Sequence, residues 1–253
     1  MNVERARALL SNARELAEQA RDTDYIMPVT LPFIPVIIVI IGALVMVIGF
    51  VDNSDIMLAI GSAIALIGLV VNFYVVYRWV KRRNDHFDRT LKFFGVITEL
   101  AEILGFERAS IIRSRYNELR EICSIQRNPV MHTILTIIPF YIFYVYHFLN
   151  KDFAEHSAKE RLLLADLFDE LRKRHPQFIR RIEEFRRVPP RSTLMYLILT
   201  LVTSLFSLYW VYTLTKDPNE HFKSHKVIER DIVDAFEKLV EQRAAGAGAE
   251  AKA

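Results

Sequence analysis

One cysteine, eight glycines and nine prolines in 253 residues exclude several kinds of protein at once. The single thiol, Cys123, cannot close an intrachain disulfide, and no paired-cysteine motif exists to hold zinc. It sits in a charged helical stretch with no identifiable histidine partner in the sequence, so it is expected to be incidental rather than catalytic. No phosphate-binding loop, dinucleotide fingerprint or G-x-S-x-G turn occurs. No segment alternates polar and apolar residues with a sustained period of two, so strands are not expected. Charge of one sign is missing too. Lys and Arg number 33 against 30 Asp and Glu, and the two kinds are interspersed, which describes solvated helices and excludes nucleic acid as a partner.

What the chain has in quantity is apolar length. Uncharged runs cover residues 31–51, 56–77, 130–149 and 194–214. About 20 apolar residues in a helix match the hydrocarbon thickness of a bilayer. None of the runs carries an Asp, Glu, Lys or Arg near its centre, which argues against proton-coupled transport. The expected fold class is therefore all-α: a polytopic membrane protein with a transmembrane helical hairpin, two further membrane-embedded helical segments, re-entrant or spanning, and amphipathic cytoplasmic helices. The expected division runs 1–30 (amphipathic helix and linker), 31–80 (transmembrane hairpin), 81–129 (cytoplasmic helices), 130–149 (third membrane segment), 150–193 (basic amphipathic helices), 194–215 (fourth membrane segment), 216–243 (C-terminal cytoplasmic helix) and 244–253 (disordered tail).

Within this frame, Val3, Leu9, Leu10, Leu16 and Ala17 give the first helix an apolar face. VDNSD at 51–55 is short enough to force a tight antiparallel hairpin. Gly42 and Gly49 on one arm and Gly61, Ala65 and Gly68 on the other are expected at the helix crossing, where small residues let backbones approach. Phe87, Leu91, Phe94, Thr98 and Ala101 continue one apolar face below the membrane as far as Gly105. Helix breaks are expected before Pro129 and at His175-Pro176.

A transition from aromatic to charged sequence occurs three times: FYVVYRWVKRRNDHF, FYVYHFLNKDFAEHS and LYWVYTLTKDPNEHF. The last two copies also share ILT upstream, which marks a duplication. Tyr77, Trp79, Tyr146, Tyr209, Trp210 and Tyr212 are rings that suit the membrane interface, and Lys81, Lys151 and Lys216 follow within reach of lipid phosphates. Lys81, Arg82 and Arg83, with Arg180, Arg181, Arg186 and Arg187, are expected near anionic headgroups.

Each copy ends in an acid–histidine pair: Asp85-His86, Glu155-His156 and Glu220-His221. Three repeats around an axis could converge as a metal site, but adjacent residues on a helix face different ways, and no i, i+4 histidine pair or HExxH spacing is expected to accompany them. Solvated or interfacial histidines, with no metal and no cofactor, are the expectation. His132 and His147, bordering the third run, are a weaker pair still for haem ligation.

The last copy resembles an uncharacterised group of prokaryotic membrane proteins with segments of the form L-T-x-G-[IF]-Y-x-[LI]-Y-W-x-Y. Leu199, Thr200, Thr203, Phe206, Leu208, Tyr209, Trp210 and Tyr212 carry the match, and Ser204-Leu205 replace the central glycine. The resemblance implies a membrane-embedded segment and no chemistry. The functional expectation is a non-enzymatic scaffold or accessory subunit of the cell membrane, self-associating or bound to other membrane subunits, with most polar segments cytoplasmic. A channel or carrier and a membrane-interface enzyme are the alternatives. Residues 150–193 hold eleven Lys and Arg. With the N-terminus inside, four full crossings would place that segment outside, against the positive-inside rule, whereas re-entrant hairpins broken at Pro139 and at TSLFS 203–207 would keep it inside.

Overall fold

The computed structural model describes the backbone of residues 3–250 and the side chains of residues 3–246. Among the described residues the chain is all helical, with eight α-helices and no strand. They are α1 (Val3–Thr23), α2 (Ile34–Val51), α3 (Asp55–Ile103), α4 (Ala109–Cys123), α5 (Pro129–Leu135), α6 (Tyr141–Arg174), α7 (Thr193–Thr203) and α8 (Phe206–Glu250). Local chemistry sets several of the boundaries. Ser54, Asn128 and Ser192 each stand at an N-cap and accept a hydrogen bond from the backbone N–H three residues on. Asn53 takes the left-handed turn conformation, φ 52°, that asparagine tolerates. Gly105, at φ 65°, ends α3.

Two helices are long and apolar enough to cross a membrane: the segment Leu31–Val51 and α3. They pair along the glycines. A Cβ on Gly42 would meet backbone atoms of Gly61 and Ala65 at 2.8 Å, and one on Gly61 would meet Met46 at 2.5 Å. Gly49 lies equally close to Met57 and Leu58, and Gly68 to Val39. The outer faces are bare: Ile37, Ile40, Leu44, Val47, Phe50, Ile56, Leu66 and Val70 are all exposed.

At Val75 the character of α3 changes, and its second half becomes the centre of a helical bundle. Phe87, Phe94, Thr98 and Ala101 are fully buried there, while Leu91 is half-buried. Helix α1 lies along α3 and α8, and α4 lies against α3 and α6. The α1 face that packs consists of Ala6, Leu10, Ala13, Leu16 and Ala20. Val3, Leu9 and Ala17 are only half-buried, because the packed face is centred on Ala6, Ala13 and Ala20, spaced seven apart and flanked by Leu10 and Leu16.

Two apolar runs are broken in the middle. In the third, α5 stops at Leu135 and helix resumes at Tyr141, after Pro139 and after Phe140 at φ 67°. In the fourth, α7 stops at Thr203, Ser204 adopts φ 48°, and α8 starts at Phe206. Each break folds the chain back on itself, with His132 against Tyr141 and Tyr196 against Phe206 and Trp210.

Other expectations are corrected. The second arm of the third apolar run continues without a break into the first part of the basic segment as one helix, α6 (Tyr141–Arg174), and α8 runs unbroken through residue 216. Pro218 lies inside α8 and removes the N–H that would bond Leu214 O. Arg82 fills the gap, donating from Nη2 to Leu214 O at 2.8 Å and from Nη1 to Asn219 Oδ1 at 2.9 Å. Residues 244–250 of the expected disordered tail continue α8, and 251–253 lie outside the described residues.

Candidate metal centre

The three histidines that end the repeats do not lie at a surface. His86 on α3, His156 on α6 and His221 on α8 are each 0% exposed, and His225, one turn further along α8, is 2% exposed. One ring nitrogen from each of the four lies within 4.8 Å of the others. The expectation of solvated or interfacial histidines is therefore overturned. In the repeated pair it is the acid that faces outward: Asp85 pairs with Lys81, Glu155 with Lys151 and Glu220 with Lys223. Helical geometry turns the next residue by about 100°, into the bundle.

The outward nitrogen of each ring has a partner. His86 Nδ1 lies 2.9 Å from Asp24 Oδ1, His221 Nδ1 2.9 Å from Arg186 O, His225 Nδ1 2.9 Å from Glu229 Oε1, and His156 Nδ1 3.3 Å from Cys123 Sγ. A carboxylate and a carbonyl only accept, so His86 and His221 must donate from Nδ1, and each then presents an Nε2 lone pair to the interior. Those two Nε2 atoms are 3.3 Å apart. Glu160 enters the same space. Its Oε1 is 2.9 Å from His225 Nε2, and its Oε2 is 3.3 Å from His156 Nε2 and 3.5 Å from His221 Nε2. Both Glu160 oxygens, with His156 Nε2 and His225 Nε2, are buried without a well-formed hydrogen bond.

The surroundings keep the cluster dry. Phe87 stacks on His156 at 4.2 Å, Phe222 lies 4.4 Å from His86, and Phe185 meets His221 edge-on. Burial, reinforced by the neighbouring histidines, drives the pKa of His86 well below its ordinary value and that of His221 down to about 3. Burial also lowers His156. His225 is the exception. Burial pushes it down, but Glu160 and Glu229 on either side outweigh that effect and raise it to about 10. Glu160 is held well below the carboxylate range, because His225 and His156 overcome the effect of its burial. The space thus calls for positive charge, while three of its four imidazoles resist taking a proton.

Outside the ring of ligands, Arg89 joins the two carboxylates that orient histidines, with Nη2 at 3.0 Å from Asp24 and Nη1 at 2.6 Å from Glu229. Asp24, Glu160 and Glu229 bring three formal negative charges and Arg89 one positive, so a divalent cation that displaces the His225 proton makes the buried cluster neutral. Inward imidazole nitrogens, a carboxylate and outward nitrogens held by acceptors fit the donor set and supporting shell that a transition-metal ion requires.

Asp24, Arg89, Cys123, Glu160, His225 and Glu229 are not among the residues expected at a site from sequence, and Cys123 does have a histidine partner, His156. The signal that could have found the centre is a four-residue spacing, and His221 with His225 corrects the expectation that no i, i+4 histidine pair is present. His156 with Glu160, His221 with His225, and His225 with Glu229 each share one helix face. His132 and His147 lie elsewhere, bonded to Tyr141 Oη and Thr193 Oγ1.

The expected interface residues divide. Tyr77 and Tyr146 are half-buried, and Tyr209 is exposed. Tyr212 is half-buried beneath the Lys216 ammonium. Trp79 and Trp210 are buried in protein instead, against Tyr146, with Trp79 Nε1 donating to Thr215 Oγ1 at 3.1 Å. Arg82 and Arg83 are buried as well. Arg82 fills the proline gap, and Arg83 pairs with Asp152 at 2.9 Å, so neither reaches headgroups. Arg180 pairs with Asp231 and Glu184, while Arg181, Arg186 and Arg187 are exposed. No known protein family matches the chain, and no curated protein or solved structure is similar to it.

Proposed function

We propose that the protein is a membrane-anchored metal-binding protein, in which one divalent transition-metal ion clamps three helices together just below the bilayer. The observation that carries this reading is the pair of inward lone pairs on His86 and His221, 3.3 Å apart with Glu160 beside them. Such an arrangement repels itself unless a cation sits within it. The role is non-enzymatic, that of a scaffold or accessory subunit, and the repeat exists to deliver one histidine from each of three membrane-facing helices.

The bare hairpin of α2 and the first half of α3 supports a membrane anchor that spans the bilayer. The broken third and fourth runs support re-entrant hairpins that enter and leave through one face. On that topology α4, the basic segment and the metal centre share the cytoplasmic side, in agreement with the Lys and Arg excess. Arg181, Arg186 and Arg187 are free to meet anionic headgroups. Non-helical backbone at the hairpin tips requires cover by protein inside a bilayer, which supports a homo-oligomer or a larger membrane complex.

Titration of detergent-solubilised, metal-stripped protein with Co2+ tests the reading, followed by calorimetry and by the visible spectrum of the bound ion. Saturable binding of one ion per chain, lost in a His221→Ala/His225→Ala variant, is expected. Absence of saturable binding by the intact protein overturns the proposal.

A further inference from the structure

The identity of the ion follows from counting donors, and this step rests on the metal-binding reading above. We infer that the resident ion is ferrous iron, held six-coordinate by His86, His156, His221, His225 and both carboxylate oxygens of Glu160. Structural zinc is almost always tetrahedral with four ligands. Here five residues face the centre, and the fifth cannot be set aside. Both oxygens of Glu160 are buried and meet no polar group but the histidines, lying 2.9–3.5 Å from three of the four. With metal–nitrogen bonds of ~2.1 Å, neighbouring ligands of an octahedron stand ~3.0 Å apart and opposite ones ~4.2 Å. The observed separations, all four nitrogens lying within 4.8 Å of one another, leave room for both kinds of pair with modest contraction.

Other ions fit less well. Calcium and magnesium take oxygen ligands alone. Cuprous ion selects sulfur, and the only thiol, Cys123, faces the outer nitrogen of His156 rather than the centre. Cupric ion and nickel favour a planar set, whereas the Glu160 carboxylate approaches from within the group of histidines. Manganese is suited to carboxylate-rich shells, and four imidazoles favour iron. A shell of four nitrogens and two oxygens leaves no open position for water or substrate. The ion therefore holds helices and does not turn over a substrate.

The test uses full-length protein from cells supplied with equal iron, manganese and zinc, purified without oxygen. Its metal is identified by elemental analysis and its shell by X-ray absorption. The expected result is about one iron per chain with six nitrogen or oxygen neighbours, four of them imidazole. Glu160→Gln, a conservative change that leaves the histidines in place, is expected to reduce the shell while keeping the four imidazole signals. Any other metal, or iron with only four neighbours, overturns the assignment while leaving the metal-binding reading intact. Protein with no metal of any kind overturns that reading and this inference with it.

Discussion

Arg127 Nε stands 3.2 Å from Asp152 Oδ2, although the two lie 25 positions apart across a mostly apolar stretch. Arg191 and Asp217, 26 residues apart, are joined in the same way around the fourth run. Each run thus begins and ends at one place, where an arginine on the way in meets an aspartate on the way out. Arg83 pairs with the same Asp152 from α3, so the exit of the third run is fixed to the exit of the hairpin.

Residues 150–193 are therefore predicted to lie on the cytoplasmic side. A Cys123→Ser/Lys173→Cys variant places one thiol at an exposed position of α6. Intact cells treated with a membrane-impermeant thiol reagent should leave it unlabelled, and permeabilised cells should label it. Labelling in intact cells would mean that the third run crosses the membrane.

Arg82 and Pro218 should be energetically coupled. Arg82→Met strands Leu214 O in the interior, while Asn219 Oδ1 keeps the Met27 N–H at 3.1 Å, and the change is expected to destabilise by about 1–3 kcal/mol. Pro218→Ala restores the helix N–H that Leu214 O lacks, so the same arginine substitution should be milder by about 1 kcal/mol in that background. Thermal melting of the four proteins of the cycle gives the answer, and strictly additive effects would remove the coupling.

The hairpin crossing should tolerate no added methyl groups. Gly61→Val drives a side chain into Met46 and the backbone of Gly42, and overpacking of that kind lowers stability by about 1–3 kcal/mol. Gly246→Ala has open space around it and serves as the control. Its melting temperature should be unchanged or slightly raised, because alanine favours helix. Equal losses in the two variants would show that the close approach is unimportant.

Cys123 should be inert. Burial pushes its thiol pKa up, and the thiolate is the reactive form. Native protein at pH 8 should resist iodoacetamide, and denaturation should release one reactive thiol per chain, as mass spectrometry can count. Rapid alkylation of the native protein would place Cys123 outside the core.

Apolar length made the helical class and the two helices long and apolar enough to cross a membrane legible from sequence, because twenty uncharged residues leave few alternatives. Pro139 and the TSLFS stretch also marked where the third and fourth runs break. The centre was hidden for a different reason. The acids beside His86, His156 and His221 drew the reading toward adjacent pairs, but a helix points neighbours apart, and the carboxylates that matter come four residues later, at Glu160 and Glu229. Asp24 was invisible because it lies in the linker after α1, and only tertiary packing brings it to His86. Trp79, Trp210, Arg82 and Arg83 have the composition of an interface, yet α3, α6 and α8 converge just below the apolar runs and enclose them. The repeated transition labels the edge of a packed bundle as much as the edge of a membrane.

The central claim is that the four histidines and Glu160 hold an ion, and the direct measurement is the metal content of the protein as isolated. Elemental analysis of detergent-purified chain, never exposed to chelator, should find about one transition-metal ion per chain. A Lys81→Ala variant, altered at the outer face of the first repeat, should retain it, and the His221→Ala/His225→Ala variant should hold none. A folded wild-type protein containing no stoichiometric metal would contradict the account.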